Sequence, residues 1–218
     1  MLYWDFMIHE ILPVGMLQCN CSILGDEATR EAIVVDPGDD IEEIQAVLKR
    51  HGLRVKFIVI THAHIDHIGG AKKLKDLTGA PLYLNEQDVD LYRIMGEQAA
   101  FIGMPPPPTT NVDVFLREGE EVRCGAIRAS VIHTPGHTPG SVCLLVPDGA
   151  DTKLIAGDTL FRESVGRTDL WGGSSRNLMI SLKEKLLPLD DQIVVVPGHG
   201  PLTTIGHERE FNPFLQAI

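Results

Sequence analysis

Four side chains of the types that bind metal ions occur within a window of six residues. They are His62, His64, Asp66 and His67. Residues two apart do not share a helical face, so His62 and His64 cannot act as the histidine pair of a helical HExxH motif. The apolar run 55–60 before them predicts a strand, and Gly69-Gly70 predicts a tight turn into a helix over 71–77. We therefore expect the four side chains to converge from a strand end and a loop and to bind metal.

Three more residues of these types stand alone further along the chain, each just after a predicted strand and beside glycine. They are His137, Asp158 and His199. Side chains at strand ends are held by the rigid sheet, while glycine lets the backbone approach closely. Imidazole and carboxylate groups bind zinc, iron and manganese, so these residue types predict a metal site without selecting the metal.

The order and local context of these residues resemble the five-motif signature of the metallo-β-lactamase superfamily. Asp36-Pro37-Gly38, after the strand-like run 32–35, is similar to the first motif of that family. The segment Ser164-Val165-Gly166-Arg167-Thr168-Asp169 resembles the glyoxalase II branch, and the ending 197–214 is similar to a compact bacterial type of glyoxalase II-like hydrolase. The resemblance covers nearly the whole chain.

The resemblance implies a four-layer αββα sandwich of the metallo-β-lactamase fold, which is an α/β fold, or α+β in some schemes. Periodicity alone predicts only α/β or α+β. A chain of 218 residues can bury a full core as one unit, so we expect a single domain over 1–218. Classical glyoxalase II has an additional C-terminal helical domain, which we expect this chain to lack.

The resemblance also implies how the ligands are shared between two divalent metal ions. One ion would be bound by His62, His64 and His137, the other by Asp66, His67 and His199, and Asp158 would bridge both. Zinc is the expected metal, with iron and manganese as alternatives. Metal coordination lowers the pKa of a bound water molecule to about 7, so a metal-bound hydroxide can attack an acyl group at neutral pH. Asp66 would be the catalytic residue that orients this nucleophile.

The substrate class that the resemblance implies is a thioester, with S-lactoylglutathione or a related compound as the expected small-molecule partner. Arg167 matches the basic position that meets a glutathione carboxylate in the family. The aromatic residue that classical enzymes carry shortly after that position is replaced here by Thr168-Asp169. Arg167 is therefore expected to bind substrate, with an ordinary surface arginine as the alternative.

Two other activities of the same fold stay open. Persulfide dioxygenases share these motifs but hold a single iron with two histidines and one aspartate, here His62, His137 and Asp158. Proteins of that group tend to have alanine before the last histidine and aspartate after it, whereas this chain has Gly198-His199-Gly200, which favours the hydrolase. A lactonase also remains an alternative. A β-lactamase is disfavoured because one major class needs a cysteine where Asp158 stands, and a metal-binding protein without catalysis because every ligand position is filled.

Charge and cysteine usage restrict the partners and the compartment. The formal net charge of −11 disfavours a nucleic-acid-binding surface, which needs clustered Lys and Arg. The apolar segment 1–8 lacks a basic leader and is interrupted by Asp5, so we expect a strand and neither a signal peptide nor a membrane helix. The expected compartment is the cytoplasm, without a membrane partner. In that reducing compartment four cysteines are expected as free thiols: Cys19, Cys21, Cys124 and Cys143.

The remaining patterns predict the scaffold. Strands are expected over 2–35, with a turn at 24–27, and over 113–158, and helices over 41–50, 86–100 and 178–187. The first helix has one apolar stripe, follows Asp39 and Asp40 as expected caps, and ends at Gly52.

Two features outside the ligand set have alternative explanations. The stiff run Pro105–Pro108 would either border the metal site or serve as a surface connector, and we favour the connector. Four histidines lack a ligand context and are expected in surface or structural roles, although His133 is close enough to His137 to support the site. They are His9, His51, His133 and His207.

Overall fold

The computed structural model describes residues 7–148 and 151–216. A first six-stranded sheet is formed in sequence order by β1 (Met7–Val14), β2 (Cys19–Asp26), β3 (Glu31–Val35), β4 (Arg54–Val59), β5 (Leu82–Asn85) and β6 (Val114–Leu116). Strands β1 to β3 pair antiparallel, and β3 to β6 pair parallel. The segments that follow β4 and β5 therefore leave the sheet at the same edge.

A second six-stranded sheet is built from the other half of the chain. Its strands are β7 (Glu121–Cys124), β8 (Ile127–His133), β9 (Val142–Asp148), β10 (Asp151–Gly157), β13 (Val194–Pro197) and β14 (Thr203–Thr204). Their order is β14–β13–β10–β9–β8–β7, while β11 (Leu160–Phe161) and β12 (Ser164–Val165) form a separate hairpin. Since β10 and β13 are parallel neighbours, the residues that follow them lie side by side.

The helices occupy the outer faces of the two sheets. They are α1 (Ile41–His51), α2 (Ile65–Ile68), α3 (Ala71–Thr78), α4 (Val89–Arg93), α5 (Met95–Phe101), α6 (Ser175–Ser181) and α7 (Ile205–Phe211). The predicted apolar stripe of α1 is buried, and Gly52 ends the helix with φ 62°, a left-handed conformation that glycine adopts without strain. A π-helical turn, Leu182–Leu186, continues α6.

Three hydrophobic clusters define four layers. The central cluster lies between the sheets and includes Ile33 of β3 and Leu144 of β9. A second cluster packs helices such as α1, through Ile44, against the outer face of the first sheet. The third packs α6 and α7, through Leu178 and Ile205, against the second sheet. This helix–sheet–sheet–helix order confirms the predicted αββα sandwich.

Some local predictions were wrong. The turn expected at 24–27 begins only at Glu27, because β2 continues to Asp26. Asp39 and Asp40 do not cap α1: the Asp39 side chain accepts only the N–H of Asp40, and the Asp40 carboxylate accepts the N–H of Gly15. The helix expected over 86–100 is a 3₁₀ turn followed by α4 and α5, which are interrupted at Ile94. Residues 2–6 of the predicted first strand lie outside the described part.

The cysteine prediction is confirmed, since all four are buried free thiols. Within residues 7–148 and 151–216, every helix is too short or too polar to cross a bilayer.

Candidate metal centre

The loop after β4 carries four of the predicted ligands. His64 has an extended backbone, and Asp66 and His67 lie on the single helical turn α2, where the sequence pattern predicts a loop. This turn packs on the segment after β3, because a Cβ atom added to Gly38 would lie only 1.7 Å from the carbonyl oxygen of Asp66. Such close approach of two backbones requires glycine.

A first cluster joins this loop to the second sheet. His62, His64 and His137 are buried, and their ring nitrogens lie within 4.8 Å of one another. His137 Nε2 is 3.2 Å from His62 Nε2 and 2.9 Å from His64 Nδ1. His137 lies between β8 and β9, so this cluster takes ligands from both halves of the fold.

A second cluster lies beside the first and also spans both halves. It contains Asp66, His67 and His199, the last of which follows β13. His199 Nε2 lies 3.2 Å from His67 Nε2 and 3.0 Å from Asp66 Oδ2. The three groups offer one ligand atom each within 4.8 Å of one another, a spacing that fits one further cation.

Asp158 lies between the two clusters. Its Oδ2 is 3.5 Å from His137 Nε2 of the first cluster, and its Oδ1 is 3.3 Å from His67 Nε2 of the second. The structure thus brings all seven predicted ligand residues together, and it gives the two oxygens of Asp158 different neighbours.

Hydrogen bonds orient four of the five imidazoles. The acceptors that face Nδ1 are Thr61 Oγ1 for His62 (3.1 Å), Asp36 Oδ2 for His67 (2.9 Å), the Arg167 carbonyl for His137 (2.7 Å) and the Leu17 carbonyl for His199 (2.9 Å). The Thr61 hydroxyl can accept because it donates its own proton to Asp36. Each Nδ1 is therefore assigned the ring proton, which leaves the Nε2 lone pairs facing the clusters.

Two buried atoms of these clusters have no hydrogen-bond partner among the described residues. They are His64 Nε2 and Asp158 Oδ1. A buried polar atom without a partner costs about 1–3 kcal/mol, so its retention calls for another role. Of the two, Asp158 Oδ1 lies among the converging lone pairs, whereas His64 faces the first cluster with Nδ1. The lone pairs and the carboxylate oxygens together form a donor set that fits divalent metal ions.

The surroundings of His62, His64 and the two carboxylates favour the protonation states that bind metal. Burial, reinforced by the neighbouring imidazoles, lowers the pKa of His62 well below its ordinary value and that of His64 to about 3. Burial alone would raise the pKa of Asp66 and Asp158, but nearby imidazoles such as His67 hold both below the ordinary value. Neutral imidazoles and ionised carboxylates are the ligand forms that metals require. Burial alone would lower the pKa of His67 and His199 as well, but neighbouring acidic groups raise both, so a metal ion must displace a proton from these two.

Asp36 and Asn20 support the clusters from behind. Asp36 accepts hydrogen bonds from the Thr61 N–H (2.7 Å), the Thr61 hydroxyl (2.6 Å) and His67. Asn20 donates to the carbonyls of Pro197 and Gly200, each at 2.9 Å, and so holds the residues on both sides of His199. Asp36 was expected from the motif Asp36-Pro37-Gly38, whereas Asn20 was not predicted from the sequence.

Asp88 and Gln98 hold the backbone around His64, and the sequence analysis identifies neither. Asp88 accepts the N–H of Ala63 at 2.9 Å, and Gln98 donates to the carbonyl of Ala63 and accepts the N–H of Ile65, both at 3.0 Å. Asp88 also binds the loop of His137, through the N–H of Gly140 (2.6 Å) and the hydroxyl of Thr138 (2.8 Å). The one available signal was a polar residue just beyond β5, whose end lies beside that of β4.

An ionised carboxylate is unfavourable at the buried position of Asp88. Burial raises the pKa of its carboxyl group even though three hydrogen bonds oppose the shift. The ionised side chain is therefore held at a cost in stability, which points to a role in positioning the two ligand loops.

Arg167 contributes its backbone to the centre. The Arg167 carbonyl accepts the His137 ring proton, whereas its guanidinium is exposed and forms two hydrogen bonds of 2.7 Å with Asp169. The predicted substrate-binding side chain is thus already paired within the chain.

The four remaining histidines lie outside both clusters. His133 supports the first cluster indirectly. Its Nε2 lies 2.9 Å from the carbonyl oxygen of Pro139, and this contact closes the loop that contains His137. His9, His51 and His207 face Ser22, Glu10 and Glu163 respectively.

A cavity of about 240 Å³ opens beside the second cluster. The β1–β2 hairpin tip, Gly15–Leu17, and residues of the segment that follows α5 line it, and Asp66 of the second cluster is also part of its lining. Pro105, Pro106 and Pro107 line it together with Asp66, so the proline run borders a cavity of the site, as the alternative prediction has it, while most of its residues stay exposed as expected of a surface connector.

The sequence model of the metallo-beta-lactamase superfamily matches residues 14–199. The chain belongs to this superfamily. Among the relatives of this superfamily member, the hydroxyacylglutathione hydrolase GloC of Haemophilus influenzae is 37% identical, over 95% of this chain and 98% of the relative. The protein is accordingly a metallo-hydrolase of the superfamily and a glyoxalase II-like member of it.

Two solved structures of the metallo-β-lactamase superfamily are similar over nearly their whole length. The BLEG-1 B3 metallo-beta-lactamase superimposes with a TM-score of 0.87 at 38% identity, covering 95% of this chain and 99% of that one. TTHA1623 in a di-iron-bound form superimposes with a TM-score of 0.82 at 39% identity, covering 94% and 100%.

Proposed function

We propose that this protein is a metal-dependent thioester hydrolase of the glyoxalase II type. In this proposal His62, His64 and His137 hold one divalent ion, Asp66, His67 and His199 hold a second, and Asp158 is shared. The observation that carries it is the position of Asp158, whose two oxygens face two separate clusters of convergent imidazole lone pairs. The 37% identity to the hydrolase GloC supports the thioester as substrate.

Each residue has a defined task in this proposal. Bound divalent ions would supply an activated water molecule and a Lewis acid for the thioester carbonyl. Asp66 both faces His199 and lines the cavity, so its ionised carboxylate can orient a water molecule toward substrate bound there. Asp36 and the carbonyls of Leu17 and Arg167 keep the imidazoles in the tautomer that presents Nε2.

Metal analysis combined with parallel assays tests the reaction class. Protein purified without chelators is expected to hold two metal ions per chain and to hydrolyse S-lactoylglutathione. Oxygen uptake with glutathione persulfide and hydrolysis of a β-lactam are the matched alternatives. Oxygen uptake with one iron per chain, and no thioester hydrolysis, would overturn the proposal in favour of a persulfide dioxygenase.

Variants of the second cluster separate the same two classes. If two ions are needed, His199→Ala and His67→Ala lower kcat by orders of magnitude even when the first ion is retained, and Asp158→Ala releases both ions. His207→Ala is the matched control, because His207 lies outside both clusters and pairs with Glu163. Near-normal turnover of the His199 and His67 variants with one bound metal would contradict the two-ion assignment.

We propose that Arg167 binds a glutathione carboxylate only weakly, because Asp169 competes for its guanidinium. Asp169 already occupies the guanidinium with two hydrogen bonds, so a substrate carboxylate must displace it. Asp169→Asn is therefore expected to lower KM for S-lactoylglutathione, and Arg167→Ala to raise it, without either effect on a small thioester that lacks the glutathione tail. Equal effects on both substrates would show that the pair only supports the loop of His137.

A further inference from the structure

The cavity beside the second cluster has apolar walls. Met16 and Leu17 contribute from the hairpin tip, Ile102 and Met104 from the opposite segment, and Ile65 from α2. The polar side chains that line it are the carboxylates Asp39 and Asp66, and its described lining contains no Lys, Arg or His. Apolar surface that faces water in a concave site next to catalytic groups is the usual character of a small-molecule pocket.

The charge of this cavity opposes an anionic substrate tail. Glutathione carries two carboxylates, and Asp39, which lines the cavity and is not a metal ligand in the proposed function, would repel them at short range. The guanidinium of Arg167 is paired with Asp169 and does not line the cavity. An uncharged apolar group, in contrast, gains free energy simply by leaving water.

The walls are held in place before any ligand enters. The N–H of Gly15 donates to Asp40 at 2.8 Å, and the carbonyl of Leu17 accepts the Nδ1 proton of His199 at 2.9 Å. On the opposite wall the proline run restricts the backbone. A preorganised wall loses little entropy on binding. Most of the free energy gained by burying an apolar group therefore contributes to affinity.

We infer that this cavity is an apolar specificity subsite, and that the preferred substrates are thioesters with an uncharged ring or a chain of about six carbons next to the scissile bond. A cavity of about 150 Å³ already accepts benzene, and this one measures about 240 Å³. The inference rests on the proposed thioester hydrolysis for its chemistry, but binding in the subsite does not depend on it.

Two series of thioesters show which side of the scissile bond enters the subsite. In the first, N-acetylcysteamine is constant and the acyl group grows from acetyl to hexanoyl. In the second, the acetyl group is constant and the thiol grows from ethanethiol to hexanethiol. Each buried methylene is expected to raise kcat/KM by about three- to fourfold in one of the two series. A rise of tenfold or more identifies the acyl or the thiol group as the occupant.

Variants of the wall test the location. Met104→Asp and Met16→Asp are expected to lower the ratio of kcat/KM for the long to the short substrate by at least tenfold. Leu77→Asp is the control, since Leu77 is an exposed leucine of α3 that does not line the cavity. Titration calorimetry with the uncleavable thioether S-hexyl-N-acetylcysteamine gives a readout that needs no turnover, with a negative heat-capacity change expected for wild type and loss of binding for Met104→Asp.

The outcomes separate the subsite from the proposed function. Binding of the thioether that Met104→Asp abolishes, without hydrolysis of any thioester, would support the subsite and refute the hydrolase. Thioester hydrolysis with flat rates in both series, or with the length preference unchanged in both methionine variants, would overturn the subsite and leave the hydrolase standing.

Discussion

Asp88→Asn is the sharpest test of how the first cluster is built. Asp88 is fully buried; Oδ2 accepts the N–H of Ala63 and the hydroxyl of Thr138, and Oδ1 accepts the N–H of Gly140. In either orientation the new amide places its NH₂ group against one of the two backbone N–H groups. The variant therefore loses at least one hydrogen bond and leaves at least one buried donor unsatisfied, while keeping the size of the side chain.

The magnitude follows from two opposing effects. An unsatisfied buried donor costs about 1–3 kcal/mol, and loss of a charge-assisted bond adds to it. The neutral amide recovers part of the desolvation that raises the pKa of Asp88, so a net loss of about 1–3 kcal/mol is expected. For a protein of this size that lowers Tm by roughly 2–12 °C.

The assay compares calorimetric melting of metal-free wild type, Asp88→Asn and Asp90→Asn, together with metal content after dialysis. Asp90 is an exposed carboxylate two residues away and is expected to change stability by less than about 0.5 kcal/mol. Asp88→Asn should also retain less metal, because the backbone of Ala63 between two ligands is no longer fixed. Melting within about 1 °C of wild type, with unchanged metal content, would refute the positioning role.

Three further predictions follow from other features. Gly198→Ala places a Cβ atom 2.1 Å from Asp158 Oδ1 and should reduce metal content and Tm, whereas Gly96→Ala, in open space on α5, should preserve metal content and raise stability by about 0.5–1 kcal/mol. Burial, reinforced by a nearby lysine, lowers the pKa of His9 from 6.5 to about 4, so the unfolded chain takes up this proton first and stability falls as pH drops from 6.5 to 4. Between pH 7 and pH 5, the free energy of unfolding measured with urea should fall by about 2 kcal/mol less in His9→Gln than in wild type. Burial raises the pKa of Cys19 to about 12, so a disulfide reagent at pH 8 should leave this thiol unmodified until urea unfolds the protein.

Metal-ligand residues were predictable from the sequence where several occur close together or where one follows a predicted strand. The convergence of His62, His137 and Asp158 follows from their residue types and from the ends of predicted strands, and the family resemblance supplied the layer order that periodicity leaves open. The helical turn that carries Asp66 was not predictable, because four residues are too short for a periodic signal. Asp40 fails as a cap because a distant hairpin, through Gly15, competes for its carboxylate.

The supporting contacts were beyond sequence analysis for a different reason. His137 and His199 are oriented by the carbonyls of Arg167 and Leu17, and a carbonyl is present at every residue whatever its side chain. Asp88 acts through long-range hydrogen bonds, and its local sequence is equally compatible with an ordinary helix start.

The ligands are divided between the two sheets, and this division makes any bound metal a non-covalent clasp across the fold. His62, His64, Asp66 and His67 leave the edge of the first sheet, and their counterparts leave the second, so neither half can bind alone with full strength. The free energy of metal binding then stabilises the packing of the two sheets against each other. Any shift of one sheet relative to the other separates the ligand atoms and weakens metal binding. Metal affinity in this protein therefore reports on how well the two sheets pack together. Removal of metal by a chelator destabilises the contact between the sheets before it destabilises either sheet.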